Sequence, residues 1–237
     1  MLINADFSRP VVVTPDQYQW VASPQGGVER VMLDRIGAEQ ARATSLVRYA
    51  PDSHFPAHAH PGGEEILVLS GTFSDESADF PAGWYLRNPP DSTHQPFSRE
   101  GALIFVKLRQ MAASDKRRVR IDTRDPSCWQ RHGQGAVCPL FSSPDEQVCL
   151  QRLVPGQAIL DDGPGGAELL VLDGAIVAAG RRYERGTWIR LPAGACPGFT
   201  AAPSGVTFYL KTGHLAGTAQ EAGQAGLRSP APATSGR

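Results

Sequence analysis

The sequence repeats itself. The stretch GGEEILVLSG from Gly62 returns as GGAELLVLDG from Gly165, with Gly71 and Gly174 standing 103 residues apart. PAGWYLRNPP (81–90) answers ERGTWIRLPA (184–193) at the same offset. Upstream, QGGV at Gln25 answers QGAV at Gln134, and Trp20 answers Trp129, at an offset of 109. Four ordered matches in 237 residues mean two copies of one unit of about 105 residues each, near the lower end of common domain size. The chain must build one architecture twice.

The unit is all-β. Short β-branched or aromatic runs (TSLVRYA, EEILVLSG, GWYLRNP, ALIFVKLRQ) stand between Pro-Asp-Ser, Pro-Gly-Gly, Pro-Ala-Gly and Pro-Pro-Asp breaks. The second copy matches with VCLQRLVP, AELLVLDG, GTWIRLP and GVTFYLKTG. The 25 Gly and 20 Pro suit many turns. Residues 28–43 give a weak helical pattern and nothing longer. Regularly spaced short strands predict a sandwich or small barrel. The expected division is 1–112, 113–217 and a disordered tail, 218–237, which is small, polar and Pro/Gly-rich.

Net charge is −1, which excludes a general electrostatic attraction to nucleic acid or anionic membrane. The basic run KRRVR (116–120) reads as a solvated linker or an edge strand. No apolar run approaches the ~18 residues of a membrane span. MLINADFSRP lacks the pattern of a secretory leader, so a cytoplasmic location is expected. Cys128, Cys138, Cys149 and Cys196 have no Cys-x-x-Cys spacing and read as small apolar side chains.

Chemistry concentrates in HAHPGGEEILVLSG (58–71). In an extended strand, residues i and i+2 share a face, so His58 and His60 present both imidazoles to one side. Pro61-Gly62-Gly63 turns the chain, and a hairpin is expected to bring Glu64 back beside them, with Ile66 and Val68 on the Glu64 face. His94, in NPPDSTHQPFS, is the expected fourth ligand from a later strand. His54, His132 and His214 read as surface or internally satisfied histidines. Three imidazoles and a carboxylate suit one divalent transition metal, with zinc foremost and Fe, Mn or Ni compatible. A mixed His/Glu set often leaves a coordination position open. A divalent ion with one carboxylate keeps a local charge of +1, which favours an anionic ligand or ionisation of bound water. Arg87 and Asn88, just before the His94 loop, could either reach a ligand or cap a turn.

These residues resemble the cupin superfamily. His58, His60, Glu64 and Gly71 match its first motif from the first His onward. Pro81, Gly83 and His94 match a looser second motif, with Ser98 where Asn is usual. HPGGEEILVLSGTFSDE, PAGWYLRNPPDSTHQPFS and FVKLRQM look like the ChrR-type cupins, named after the zinc-binding cupin domain of an anti-sigma factor. The resemblance implies two tandem jelly-roll β-barrels, with His58, His60, Glu64 and His94 as metal ligands in the first. At the shared offset the second copy has Asp161, Gly163, Ala167 and Pro197 instead, so a metal-free second barrel is expected; Asp161 and Asp162 read as a turn. Glu168 survives, but it answers Glu65, not Glu64. ChrR-type anti-sigma factors also carry an N-terminal helical zinc module with His and Cys ligands. No cysteine precedes Cys128, so contact with a sigma factor is not supported. The expected function is a regulatory or sensing protein that binds a small molecule or oxidant at the metal. The alternative is an Fe- or Mn-dependent dioxygenase acting on a small diketone or phenolic substrate. The two barrels are expected to pack about a pseudo-twofold axis, and unpaired edge strands leave homodimerisation as an option.

Overall fold

A computed structural model describes residues 1–38, 40–160, 165–195 and 197–215. The expected tail (218–237), the Asp161–Asp162 turn, Gly163 and Cys196 lie outside the described residues. Among those described there is no α-helix, only strands and two short 3-10 turns, Pro15–Gln17 and Pro126–Cys128. None of the helical segments is long and apolar enough to cross a membrane.

Two large sheets repeat one strand order, as tandem jelly-roll barrels do. In the first, Arg42–Tyr49, Ala102–Leu108, Glu64–Ser74 and Trp84–Asn88 lie side by side. In the second, Gln147–Leu153, Phe199–Thr212, Ala167–Ala178 and Trp188–Leu191 follow in the same order. Gly71 and Gly174 share a reason for being glycine. Both have positive φ (65° and 68°), and a Cβ would lie 2.0 Å from the Gly101 carbonyl in one and 2.2 Å from the Gly205 carbonyl in the other.

The sheets exchange strands. Val11–Val13, from the start of the chain, pairs with Trp188–Leu191 of the second sheet. Val119–Asp122 pairs with Trp84–Asn88 of the first, so the end of the KRRVR run is an edge strand. The described residues of 28–43 are not helical. Most of them lie in the antiparallel strands Val28–Ile36 and Arg42–Tyr49. Burial of alternate residues on opposite sheet faces overrides a weak local preference.

The central strands of both sheets are buried on both faces, which explains why they read as continuous apolar runs. Along Glu64–Ser74, Ile66 and Val68 enter the first barrel, whereas Leu67 and Leu69 join a core shared by the two halves. Along Ala167–Ala178, Leu169 and Val171 enter the second barrel, whereas Leu170 and Leu172 face the shared core. Phe105 and Tyr209, from equivalent strands, meet there edge to face at 5.2 Å.

Charges cross the same interface reciprocally. Lys107 Nζ donates to Glu168 at 2.5 Å, and Lys211 Nζ donates to Glu65 at 2.7 Å. Each lysine comes from one half and each glutamate from the other, as an isologous contact requires. Arg87 joins Glu65 at 3.2 Å and Asp115 at 3.0 Å, and also pairs with Glu146. Its counterpart Arg190 pairs with Asp34 at 3.3 Å. The Glu168 that persists in the second copy is thus an interface residue, as is Glu65.

His214 closes one side of this network, its Nε2 standing 3.1 Å from Glu168 Oε2. Burial, only partly opposed by Glu168, pushes its pKa from 6.5 down to about 3. Unfolding lets the imidazole take up a proton near its ordinary value. The stability held by neutral His214 is therefore complete above about pH 6.5 and declines as pH falls toward about 3. We expect urea midpoints to drop across that window and His214→Gln to flatten the drop. An unchanged slope in the variant would assign the titration to another group.

Candidate metal centre

The short strand His58–His60 does not pair with Glu64–Ser74, in contrast to the expected hairpin. It pairs antiparallel with Ser92–His94, placing His94 opposite His58 and Ser92 opposite His60. The Pro61-Gly62-Gly63 turn carries the chain from this small sheet into the large one. Two constraints fix that path. The His60 carbonyl accepts from the Gly63 and Asp91 amides at 3.0 and 2.9 Å, tying both histidine segments together. Gly63 has φ +75°, and a Cβ there would lie 2.4 Å from Met111 Sδ. Glu64 thus reaches the histidines by a change of sheet, because its own strand is already paired on both sides.

Ligand atoms of His58, His60 and His94 all lie within 4.8 Å of one another. His60 Nε2 and His94 Nε2 are 2.9 Å apart, and Glu64 Oε2 lies 3.5 Å from the first and 3.4 Å from the second. Donors about 2.1 Å from a shared cation stand roughly 3.0–3.4 Å apart, close to the spacing of His60, His94 and Glu64, whereas His58 meets only the looser 4.8 Å criterion of the three-histidine group. Among the described residues no other His, Cys, Asp or Glu group meets the same criterion. His54 is exposed and stacks on Phe97, His132 is exposed, and His214 belongs to the interface.

The surroundings orient each donor. His58 Nδ1 lies 2.9 Å from the Pro56 carbonyl. A carbonyl can only accept, so Nδ1 is the donor there, and Nε2 is the nitrogen that would face a metal. His94 Nδ1 faces Asp75 Oδ2 at 3.7 Å. Burial works to lower the His94 pKa, but Asp75 and Glu64 outweigh it and the net shift is upward. His60 shifts downward, first through burial and then through its imidazole neighbours, with Glu64 opposing. A neutral imidazole is the form a metal site requires, and the downward shift favours it at His60.

Asn88 and Arg120 resolve what the sequence left open. Arg120 Nη2 donates to Asn88 Oδ1 at 2.7 Å, and Asn88 Nδ2 donates to Glu64 Oε2 at 2.9 Å. Arg120 has only donors, so it fixes which way the amide points. The basic run thus supplies a positioning residue through its edge-strand register. Arg87, one residue from Asn88, faces the opposite side of the sheet and serves the interface. The second sheet has no such chain: Asn88 pairs in register with Glu64, while the equivalent Leu191 pairs with Ala167, both in the second barrel's apolar core. Asn88→Leu copies that arrangement. It is expected to weaken metal affinity about 10- to 100-fold with the fold retained, as read by Co(II) titration and circular dichroism.

A cavity of about 550 Å³ opens beside His58, His60 and Glu64, walled by Val47, Tyr49, Ile104 and Val106. Tyr49 packs edge to face on Phe73 at 5.8 Å and tilts against Phe55 at 5.9 Å. The site therefore has an apolar chamber in front of its donor cluster, as small-molecule sites do.

Comparison with known proteins adds family and fold. Residues 8–112 match the family model described as the ChrR cupin-like domain. No curated protein matches the chain. Among solved structures, one from Nostoc punctiforme described as a proposed dioxygenase superposes with a TM-score of 0.66 at 16% identity, over 91% of this chain and 83% of that one. The pirin of Escherichia coli in complex with nickel(II) gives 0.63 at 12% identity, over 86% and 98%. Oxalate decarboxylase of Bacillus subtilis, with Mn(II) centres, gives 0.57 at 11% identity, over 85% and 76%. At these identities the likeness is one of fold.

Proposed function

We propose, from the match of residues 8–112 to the ChrR cupin-like domain, that this chain is a metal-dependent small-molecule-binding bicupin. His58, His60, Glu64 and His94 hold one divalent transition ion, zinc foremost, with Fe, Mn and Ni compatible with the same donors. The observation that carries this reading is the 2.9–3.5 Å spacing of Glu64, His60 and His94 at the edge of an accessible chamber. A bound ion would supply Lewis-acid attraction for a ligand oxygen. The chain does the rest: Pro56 fixes the His58 tautomer, Asn88 aims Glu64, and the apolar walls exclude water from the ligand's body. We place its role in regulation or sensing, with the ligand or an oxidant as the signal. Elemental analysis of the protein from its own host should give one equivalent of metal per chain. Less than a tenth of an equivalent, with no uptake on reconstitution, would remove the proposal.

The chamber also favours a second reading, a dioxygenase for a small diketone or phenolic compound, since it leaves room for a substrate beside the donors. Anaerobic reconstitution with Fe(II) followed by oxygen-uptake assays on diketones and catechols separates the two. Substrate-dependent uptake supports the enzyme, and none supports the binding role.

A further inference from the structure

The chamber beside the histidines also has a cationic side chain in its wall. Arg30 lies on the strand Val28–Ile36, in register with Val47, and its side chain lines the same cavity as His58, His60 and Glu64. Its Nε is shielded from solvent and has no hydrogen-bond partner. Among the described residues it makes no ion pair. Arg87 and Arg190, by contrast, each meet a carboxylate within 3.3 Å. Two further arginines line this cavity: Arg35, which donates to the Ala38 carbonyl, and Arg109, whose backbone amide donates to the Gly63 carbonyl beside the metal-ligand turn. An unsatisfied, shielded guanidinium N–H costs free energy, and here it belongs to a side chain that lines a cavity of about 550 Å³. The remaining wall is mostly apolar: Val28, Val47, Phe55, Ile104 and Val106.

We infer that the first barrel binds a small carboxylate with an apolar body, and that Arg30 is the residue that selects the carboxylate. The planar guanidinium supplies charge-assisted donors matched to a planar carboxylate. The aliphatic and aromatic walls take the body of the ligand, whose other end points toward the imidazoles. That last orientation rests on the metal reading above; selection by Arg30 does not.

The test uses the full chain, both metal-free and loaded with Co(II). Benzoate, 4-hydroxybenzoate and hexanoate are titrated calorimetrically, each beside its neutral amide. The wild type should bind at least one acid about 10- to 100-fold more tightly than its amide. Arg30→Gln should erase that preference and Arg30→Lys should keep part of it, both retaining the wild-type Co(II) stoichiometry. Equal affinity for every acid and its amide, or no binding of any acid at about 10 mM, would overturn the inference without any variant having to fold. So would an undiminished preference in Arg30→Gln. A protein that takes no Co(II) yet still prefers the acid would sink the metal reading and leave this one standing.

Discussion

Truncating Glu65 to alanine is expected to destabilise the protein by about 3–5 kcal/mol, the usual cost of breaking a buried ion pair from one side. Glu65 is fully enclosed with Lys211 and Arg87, and Tyr209 also donates to it. Burial by itself would raise its pKa. Lys211 and Arg87 reverse that and hold the carboxyl at about 2. Removing it leaves Lys211, at 0% side-chain exposure, dependent on Glu146 alone at 2.8 Å. Because the two halves share this network, the loss should appear as reduced cooperativity as well as a lower urea midpoint. Glu65→Met combined with Lys211→Met should restore most of the stability, since replacing both partners removes the unpaired charge. The exposed pair Arg48–Glu29, with both side chains about half accessible, provides the contrast: Glu29→Ala should cost less than about 1 kcal/mol. Comparable losses at Glu65 and Glu29 would show that the interface charges do not carry the stability assigned to them.

His60→Ala should weaken binding of Co(II) or Zn(II) at least about 100-fold, beyond the range of a change in the supporting layer such as Asn88→Leu. His60 Nε2 stands 2.9 Å from His94 Nε2 and 3.5 Å from Glu64 Oε2, so its loss opens a gap beside both. Metal binding to the folded state adds about 2.7 kcal/mol of stability when free metal is 100 times Kd. Chelation should therefore lower the Tm of the wild type and leave that of His60→Ala unmoved. A variant that keeps stoichiometric, tight Co(II) binding would show that the cation, if any, lies elsewhere.

Some of this was legible in the residues. Strand periodicity placed Ile66 and Val68 on the face of Glu64, because alternation along a strand is a local property. The His-x-His spacing put two imidazoles on one side for the same reason, and the 103-residue offset carried the second sheet with it. The hairpin between His58–His60 and Glu64 was not borne out, because pairing partners depend on which strand edges remain free, and both edges of Glu64–Ser74 are taken. The helical pattern at 28–43 yielded to sheet burial. Asn88 and Arg120 carried no motif. Their roles depend on the register of Val119–Asp122 against Trp84–Asn88, which places Arg120 within reach of Asn88.

The amino-acid sequence by itself determined the duplication, the all-β barrels and the histidine cluster of the first copy, because periodicity and ligand spacing are set by neighbours along the chain. Only the tertiary structure decided that the halves trade strands, that Glu65 and Glu168 bind them together through buried ions, and that Arg30 faces the chamber beside the histidines. Those are contacts between residues far apart in sequence, and they exist only once both sheets have closed and each side chain's water has been replaced by a partner from the other half, or, at Arg30 Nε, by none.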